Sequence, residues 1–236
     1  MTTQIAAQNQ IIYPERDGQP MSDNTKQFRW IVTIQGGLDS LFKNNPEVFV
    51  AGDLLWYPVE GDNKTRIAPD AMVVFGRPKG DRGAYLQWRE DNIPPQVVFE
   101  VLSPGNRLGE MLKKLKFYER YGVKEYYMYD PDDEDLSGWL RSGDELQEIE
   151  QLSGWVSPKL GIKFEPSLEG LEIYRPDGQK FATYVELDEQ RENAIAIATQ
   201  ETQRANQEAQ RANQETQRAD RLAAKLLELG INLDTL

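Results

Sequence analysis

The sequence predicts an α/β domain with a mixed β-sheet, followed by a long helix of a different kind. Three observations carry this. Apolar residues first recur at helical spacing, then in two β-rich runs, then in a strand, helix, strand succession, which is the order of a mixed α/β sheet. The stretch "PPQVVFEVLSPGNR" (94–107) is an apolar strand with a carboxylate, Glu100, at its centre. From residue 201 the chain repeats every seven residues as "ETQRANQ EAQRANQ ETQRADR".

Residues 1–20 are polar with Pro and Gly and read as an arm. The domain is placed at 21–185 and the helical tail at 186–236. In "SDNTKQFRWIVTIQGGLDSLFKNN" (22–45), Ser22, Asp23 or Asn24 can cap a helix that buries Phe28, Ile31, Val32, Ile34 and Leu38 and is weakened by Gly36 and Gly37. "EVFVAGDLLWYPV" (47–59) and "DAMVVFG" (70–76) read as an antiparallel hairpin. The loop 77–95 is long and carries Arg77, Lys79, Arg82 and Arg89, as functional or mobile loops do. After the Glu100 strand, Leu108, Met111, Leu112, Leu115 and Tyr118 follow the i, i+3, i+4, i+7 rule and Gly122 ends the helix. "KEYYMYD" (124–130) is an aromatic strand, paired in parallel with that of Glu100, and 146–185 supplies short strands that complete the sheet or cover its edge.

In the tail, small or apolar residues run from Ile195 to Leu226 in steps of three and four, a heptad seam made mostly of Ala and Thr. Such a seam buries little, and it admits either a homodimer or a solitary exposed helix. Arg204 to Glu208 and Arg211 to Glu215 are spaced for ion pairs worth about 0.3–0.5 kcal/mol each.

The chain contains neither cysteine nor histidine. Disulfides, thiolate chemistry and every histidine-containing triad are therefore excluded, and catalysis must rest on Asp, Glu, Lys, Tyr or Ser. A metal would be a hard, oxygen-seeking one such as Mg²⁺ or Mn²⁺. No apolar run is long enough to span a bilayer and the first residues lack a signal-peptide pattern, so no membrane is expected and a cytoplasmic location is. The net charge of −12 argues against a polyanionic partner, but the charge is uneven. Residues 132–150 hold eight acids and one base, whereas 107–124 hold six bases and two acids.

Glu100 cannot sit unpaired in an apolar strand, because burying a lone carboxylate costs several kcal/mol by an estimate of roughly that order. Asp70, after Pro69, stands at the mouth of the neighbouring strand. Two facing carboxylates repel unless a cation lies between them, and the carbonyl of Val101 can add a third oxygen. With a lysine nearby, such a set is equipped for metal-assisted phosphodiester hydrolysis.

"PD" at 69–70, "EVLSP" at 100–104 and "KxxxY" at 114–118, followed by "GVKEYYMYDP", resemble the Uma-two family of endonucleases, within the PD-(D/E)xK restriction-endonuclease superfamily. The resemblance spans about residues 20–185. It implies a restriction-endonuclease-like fold, DNA as substrate and Mg²⁺ (or Mn²⁺) held by Asp70 and Glu100. The superfamily lysine belongs two residues after Glu100, where this chain has Leu102, and the matching lysine is Lys114 on the following helix. Met111, Lys114, Tyr118 and Tyr121 share a stripe, which turns Lys114 toward the sheet; Lys113 points outward and Lys116 is the fallback. Asp23 and Asp53 are auxiliary acids, and Ser103 and Arg107 are placed to touch phosphate. Two other functions stand beside the nuclease: a non-catalytic scaffold that assembles through the tail, and a sugar hydrolase using Asp70 and Glu100 as acid and base.

Overall fold

The computed structural model describes residues 11–16, 18, 21–105, 108–167 and 170–229, and it divides into two units, Met1–Thr183 and Tyr184–Leu236. The first unit is a mixed α/β domain. Helix α1 (Thr25–Leu41) is capped by Asn24, whose side-chain oxygen accepts the Gln27 N–H at 2.8 Å, so the last of the three candidate caps is the one used. The strands are β1 (Val48–Ala51), β2 (Trp56–Tyr57), β3 (Ala71–Phe75), β4 (Tyr85–Leu86) and β5 (Val97–Val101). Helix α2 (Leu108–Arg120) leads to β6 (Glu125–Asp130), β7 (Asp135–Ser142), β8 (Glu145–Glu148), β9 (Lys163–Ser167) and β10 (Gly170–Tyr174).

Six strands form one sheet in the order β1-β3-β5-β6-β7-β8. All neighbours are antiparallel except β5 and β6, which are parallel and joined through α2. The two innermost strands are thus β5 and β6, and every residue of β5 is buried. Strand alternation sends Val97, Phe99 and Val101 into a core with Ile31, Ile34 and Leu38 of α1 and with Phe164 and Ile173 of the separate β9–β10 pair. It sends Val98 into a second core with Met72, Tyr118, Tyr126 and Trp56. Glu100 has the same parity as Val98 and therefore lies on the α2 face. At the end of α2, Gly122 takes a left-handed φ of +91°, which allows the Val123 N–H to return to the Tyr118 carbonyl at 3.1 Å.

Several expectations are revised. The run 47–59 is not one strand: it breaks at Gly52–Asp53, where Asp53 adopts a φ of +47°, and β2 pairs in parallel with β4 instead of continuing the hairpin. The acidic stretch 132–150 contains the β7–β8 hairpin, which completes the sheet, because its acids alternate with inward-facing Leu136 and Leu146. The loop 77–95 is stapled. Arg77 bonds Glu90 and Asp91, Arg82 bonds the other oxygen of Glu90 at 2.7 Å, and Lys79 bonds Asp39 at 3.0 Å. On α1 Phe28 and Val32 are exposed, and on α2 so is Leu112. Residues 11–16 of the expected arm lie on the domain, with Tyr13 packed edge-on to Tyr57 and the Pro14 carbonyl accepting the Tyr57 hydroxyl at 2.6 Å.

The second unit carries α3 (Tyr184–Glu228), a helix of 45 residues with no buried side chain among those described. The recorded ion pairs of the described residues do not include Arg204 with Glu208 or Arg211 with Glu215. Both partners are exposed there, and so small a gain does not offset the ordering of two long side chains. Among the described residues no helix is long and apolar enough to cross a membrane.

The two glycines of α1 differ in what surrounds them. A Cβ at Gly37 would stand 2.3 Å from the ring of Phe181, whereas one at Gly36 would meet nothing within 4 Å. Gly37→Ala is expected to destabilise the domain by about 1–3 kcal/mol. Gly36→Ala is expected to stabilise it by about 0.5–1 kcal/mol. Urea unfolding of the two variants gives midpoints that move in opposite directions if the packing is as described.

Candidate active site

The site is built where β3, β5 and α2 meet. β3 and β5 are antiparallel with Ala71 opposite Phe99, so extending the register by one residue sets Asp70 opposite Glu100. Pro69 holds the entry to β3 by accepting the Asp53 N–H at 3.1 Å, and one Asp70 oxygen accepts the Val101 N–H at 2.6 Å. The pair thereby sits at the end of the strands where chain pairing stops. On α2, Lys114 and Tyr118 are one turn apart and both reach down to β5. The Lys114 ammonium donates to Glu100 Oε2 at 2.6 Å, and the Tyr118 hydroxyl donates to Oε1. Glu100 is 2% exposed and has a donor on each oxygen, which answers how a carboxylate can occupy an apolar strand.

The electrostatics follow from this burial. Desolvation, and then the charge of Glu100, push the Asp70 carboxyl well above the usual carboxylate range; Lys114 and the Val101 N–H act the other way without cancelling it. For Lys114 burial alone would lower the ammonium's pKa, but the charges of Glu100 and Asp70 outweigh it and the net shift is upward. Burial and Glu100 together hold the Tyr118 phenol well above its ordinary value.

Beyond the end of β5 lies a second set of polar contacts. The buried Gln27 of α1 donates its amide N–H to the Val101 carbonyl at 2.8 Å and accepts the Asp23 N–H at 2.8 Å. Asp23 in turn accepts the Ser103 hydroxyl at 2.5 Å. Asp23 and Ser103 therefore meet each other, not the carboxylate pair. Asp53 is exposed beside Pro69, and Arg107 lies outside the described residues. Lys113 and Lys116 are both exposed on α2, which leaves Lys114 as the lysine of the cluster.

Sequence reasoning did not single out Gln27 or the Tyr118 hydroxyl as site groups. The signal for Tyr118 was its spacing of four from Lys114, and the signal for Gln27 was a polar residue three places from Asn24 on an otherwise apolar face. A buried carboxylate was also missed. Glu125, fully buried at the other end of β6, accepts the hydroxyls of Tyr127 and Ser157 and the Lys159 N–H, and its pKa is raised chiefly by burial.

Among the described residues no group of three acids, histidines or cysteines is placed to hold a metal ion. The donors that are present, Asp70, Glu100 and the Val101 carbonyl, are all hard oxygens, and a small divalent ion takes one or two carboxylates with the rest of its shell from elsewhere. Asp70 and Glu100 face each other across the β3–β5 register, where such an ion would lie. The donor set therefore fits Mg²⁺ or Mn²⁺.

No curated protein matches the chain. Among solved structures, one described as "a putative nuclease belonging to DUF820" from Anabaena variabilis ATCC 29413 is similar at 17% identity and a TM-score of 0.44, covering 61% of this chain and 79% of that one. The family model described as "Putative restriction endonuclease" matches residues 19–173, which takes in α1, the whole six-stranded sheet and the Asp70, Glu100 and Lys114 cluster, and the chain belongs to that family, Uma2.

Proposed function

We propose that the chain is a divalent-cation-dependent endonuclease that hydrolyses phosphodiester bonds of DNA at the Asp70–Glu100–Lys114 cluster. The observation that carries this reading is the Lys114 ammonium 2.6 Å from Glu100, delivered by α2 in place of the absent lysine at Leu102, with Asp70 opposite. Asp70, Glu100 and the Val101 carbonyl would hold Mg²⁺ or Mn²⁺. When bound, the ion supplies Lewis-acid polarisation of the scissile phosphate.

The chain's own residues do the rest. Hydrolysis adds a water oxygen to phosphorus and breaks one ester bond, with one proton leaving the water and one reaching the departing alkoxide. The upward shift of Lys114 supports its role as a protonated donor, which orients the attacking water or a phosphate oxygen and offsets the charge that builds on phosphorus. Gln27 keeps the Val101 carbonyl aimed by bonding one of its lone pairs, and Tyr118 keeps Glu100 from turning into the core. The exposed lysines of α2, Lys113 and Lys116, face solvent beside the cluster and suit a phosphate backbone.

A second reading is favoured by one feature. Both oxygens of Glu100 are already satisfied by Lys114 and Tyr118, as in a structural ion pair that needs no metal. Under that reading the domain is a non-catalytic scaffold and α3 is its assembly device, forming a homodimer along the heptad seam.

Three outcomes are expected. With Mg²⁺ or Mn²⁺ the protein nicks plasmid DNA; Asp70→Asn and Glu100→Gln abolish cleavage, and Lys114→Met lowers its rate by about 10²–10⁴-fold. Absence of cleavage together with no divalent binding at millimolar concentration would leave the scaffold reading. Because the folded pKa of Asp70 is raised, its contribution to stability is complete below the ordinary carboxylate pKa and is lost as pH rises through the raised value. Metal-free protein is therefore expected to lose stability over that window, and Asp70→Asn to melt higher than wild type at neutral pH, by about 1 kcal/mol in unfolding free energy. Removing 186–236 is expected to leave a folded, cation-binding core, and light scattering of the two forms reports whether α3 holds copies together.

A further inference from the structure

The buried tyrosines of the domain use their hydroxyls. Tyr57 donates to the Pro14 carbonyl, Tyr85 to that of Ile93, Tyr118 to Glu100 and Tyr127 to Glu125, and Tyr129 accepts the Leu171 N–H. Tyr126 departs from this pattern. It is 1% exposed, its ring is stacked on Trp139 at 4.9 Å and tilted against Tyr118 at 5.0 Å, and its hydroxyl has no hydrogen-bond partner. Among the described residues, the other buried side-chain polar atom without a partner is Arg175 Nε, and the remaining nitrogens of that side chain bond Ser40 and Asp177. Tyr126 has a single polar atom. Left unpaired in a core it costs stability, and phenylalanine would fill the same space without that cost.

Its position points to a use. Register places Tyr126 opposite Val98, on the same face as Glu100 two residues further along β5, and against the ring of Tyr118, which already bonds Glu100. A phenol carries its proton near neutral pH, so toward two acids the hydroxyl acts as a donor. Each Glu100 oxygen is taken, one by Lys114 and one by Tyr118.

Building on the nuclease reading, we propose that Tyr126 is a positioning residue whose hydroxyl donates to Glu100 when that carboxylate turns to ligate a divalent cation and Lys114 is released to the substrate. The unpaired donor then becomes a second anchor, and Tyr118 and Tyr126 together form a two-hydroxyl floor beneath Glu100.

The test compares full-length wild type, Tyr126→Phe and Tyr118→Phe by thermal unfolding without divalent ions and by calorimetric titration with Mn²⁺. Tyr126→Phe is expected to melt at or above wild type when metal-free, yet to bind Mn²⁺ about 10-fold or more weakly. Tyr118→Phe, which loses a bond already made, is expected to melt lower when metal-free. Wild-type Mn²⁺ affinity in Tyr126→Phe, or a lower metal-free melting point for it, overturns the inference alone. A wild type that binds no Mn²⁺ at millimolar concentration overturns the nuclease reading and this inference with it.

Discussion

The charge on Glu100 is the constraint from which the rest of the domain can be derived. It lies one residue from the end of a strand that is buried on both faces, so the chain must bring donors to it through the core. Helix α2 does this by placing Lys114 and Tyr118 one turn apart, and the parallel pairing of β5 with β6 fixes where that helix must cross. The same crossing packs Tyr118 against Trp56 and Tyr126, so the apolar core on that side is organised around the residues that satisfy one carboxylate. A charge that is costly to bury thereby specifies the placement of a helix.

Much of this was legible from residue pattern alone. Alternation gave the face of Glu100, and the absence of histidine and cysteine restricted the chemistry to hard oxygen donors; Lys114 came from the family resemblance, and helical spacing only agreed with it. Asp70 was legible because a Pro-Asp at a strand entrance adjacent to an acidic strand has few arrangements. What stayed hidden depends on contacts between distant segments. Gln27 matters only because α1 ends its first turn beside the Val101 carbonyl, seventy-four residues away, and no local pattern distinguishes it from any polar helix residue. The β7–β8 hairpin was masked by its own acids, which obscure a period of two that only Leu136 and Leu146 reveal. Asp23 and Ser103 were read separately, as an auxiliary acid and a phosphate contact, and the hydrogen bond that joins them spans eighty residues and has no local signature.

The domain also solves the buried-acid problem a second time, and differently. Glu125 is satisfied by neutral donors, two hydroxyls and a backbone N–H, with no cation bonded to it. Such a carboxylate is locked in place and ties the segment around Ser157 and Lys159 to β6. Glu100 instead takes a lysine ammonium and a phenol from one helix, with a second carboxyl, Asp70, opposite it. The contrast is between an acid bonded by neutral groups and one bonded by a cation.

The stapled loop has a consequence for how the protein would meet a polyanion. Arg77 and Arg82 converge on Glu90, and Lys79 on Asp39, so the most basic loop in the chain is largely neutralised within itself. Side chains already paired in this way displace few counterions when a phosphate backbone arrives. On a protein of net charge −12, a loop whose cations are paired in this way gives any encounter with a polyanion a shallow salt dependence, carried by exposed cations elsewhere such as Lys113 and Lys116 of α2.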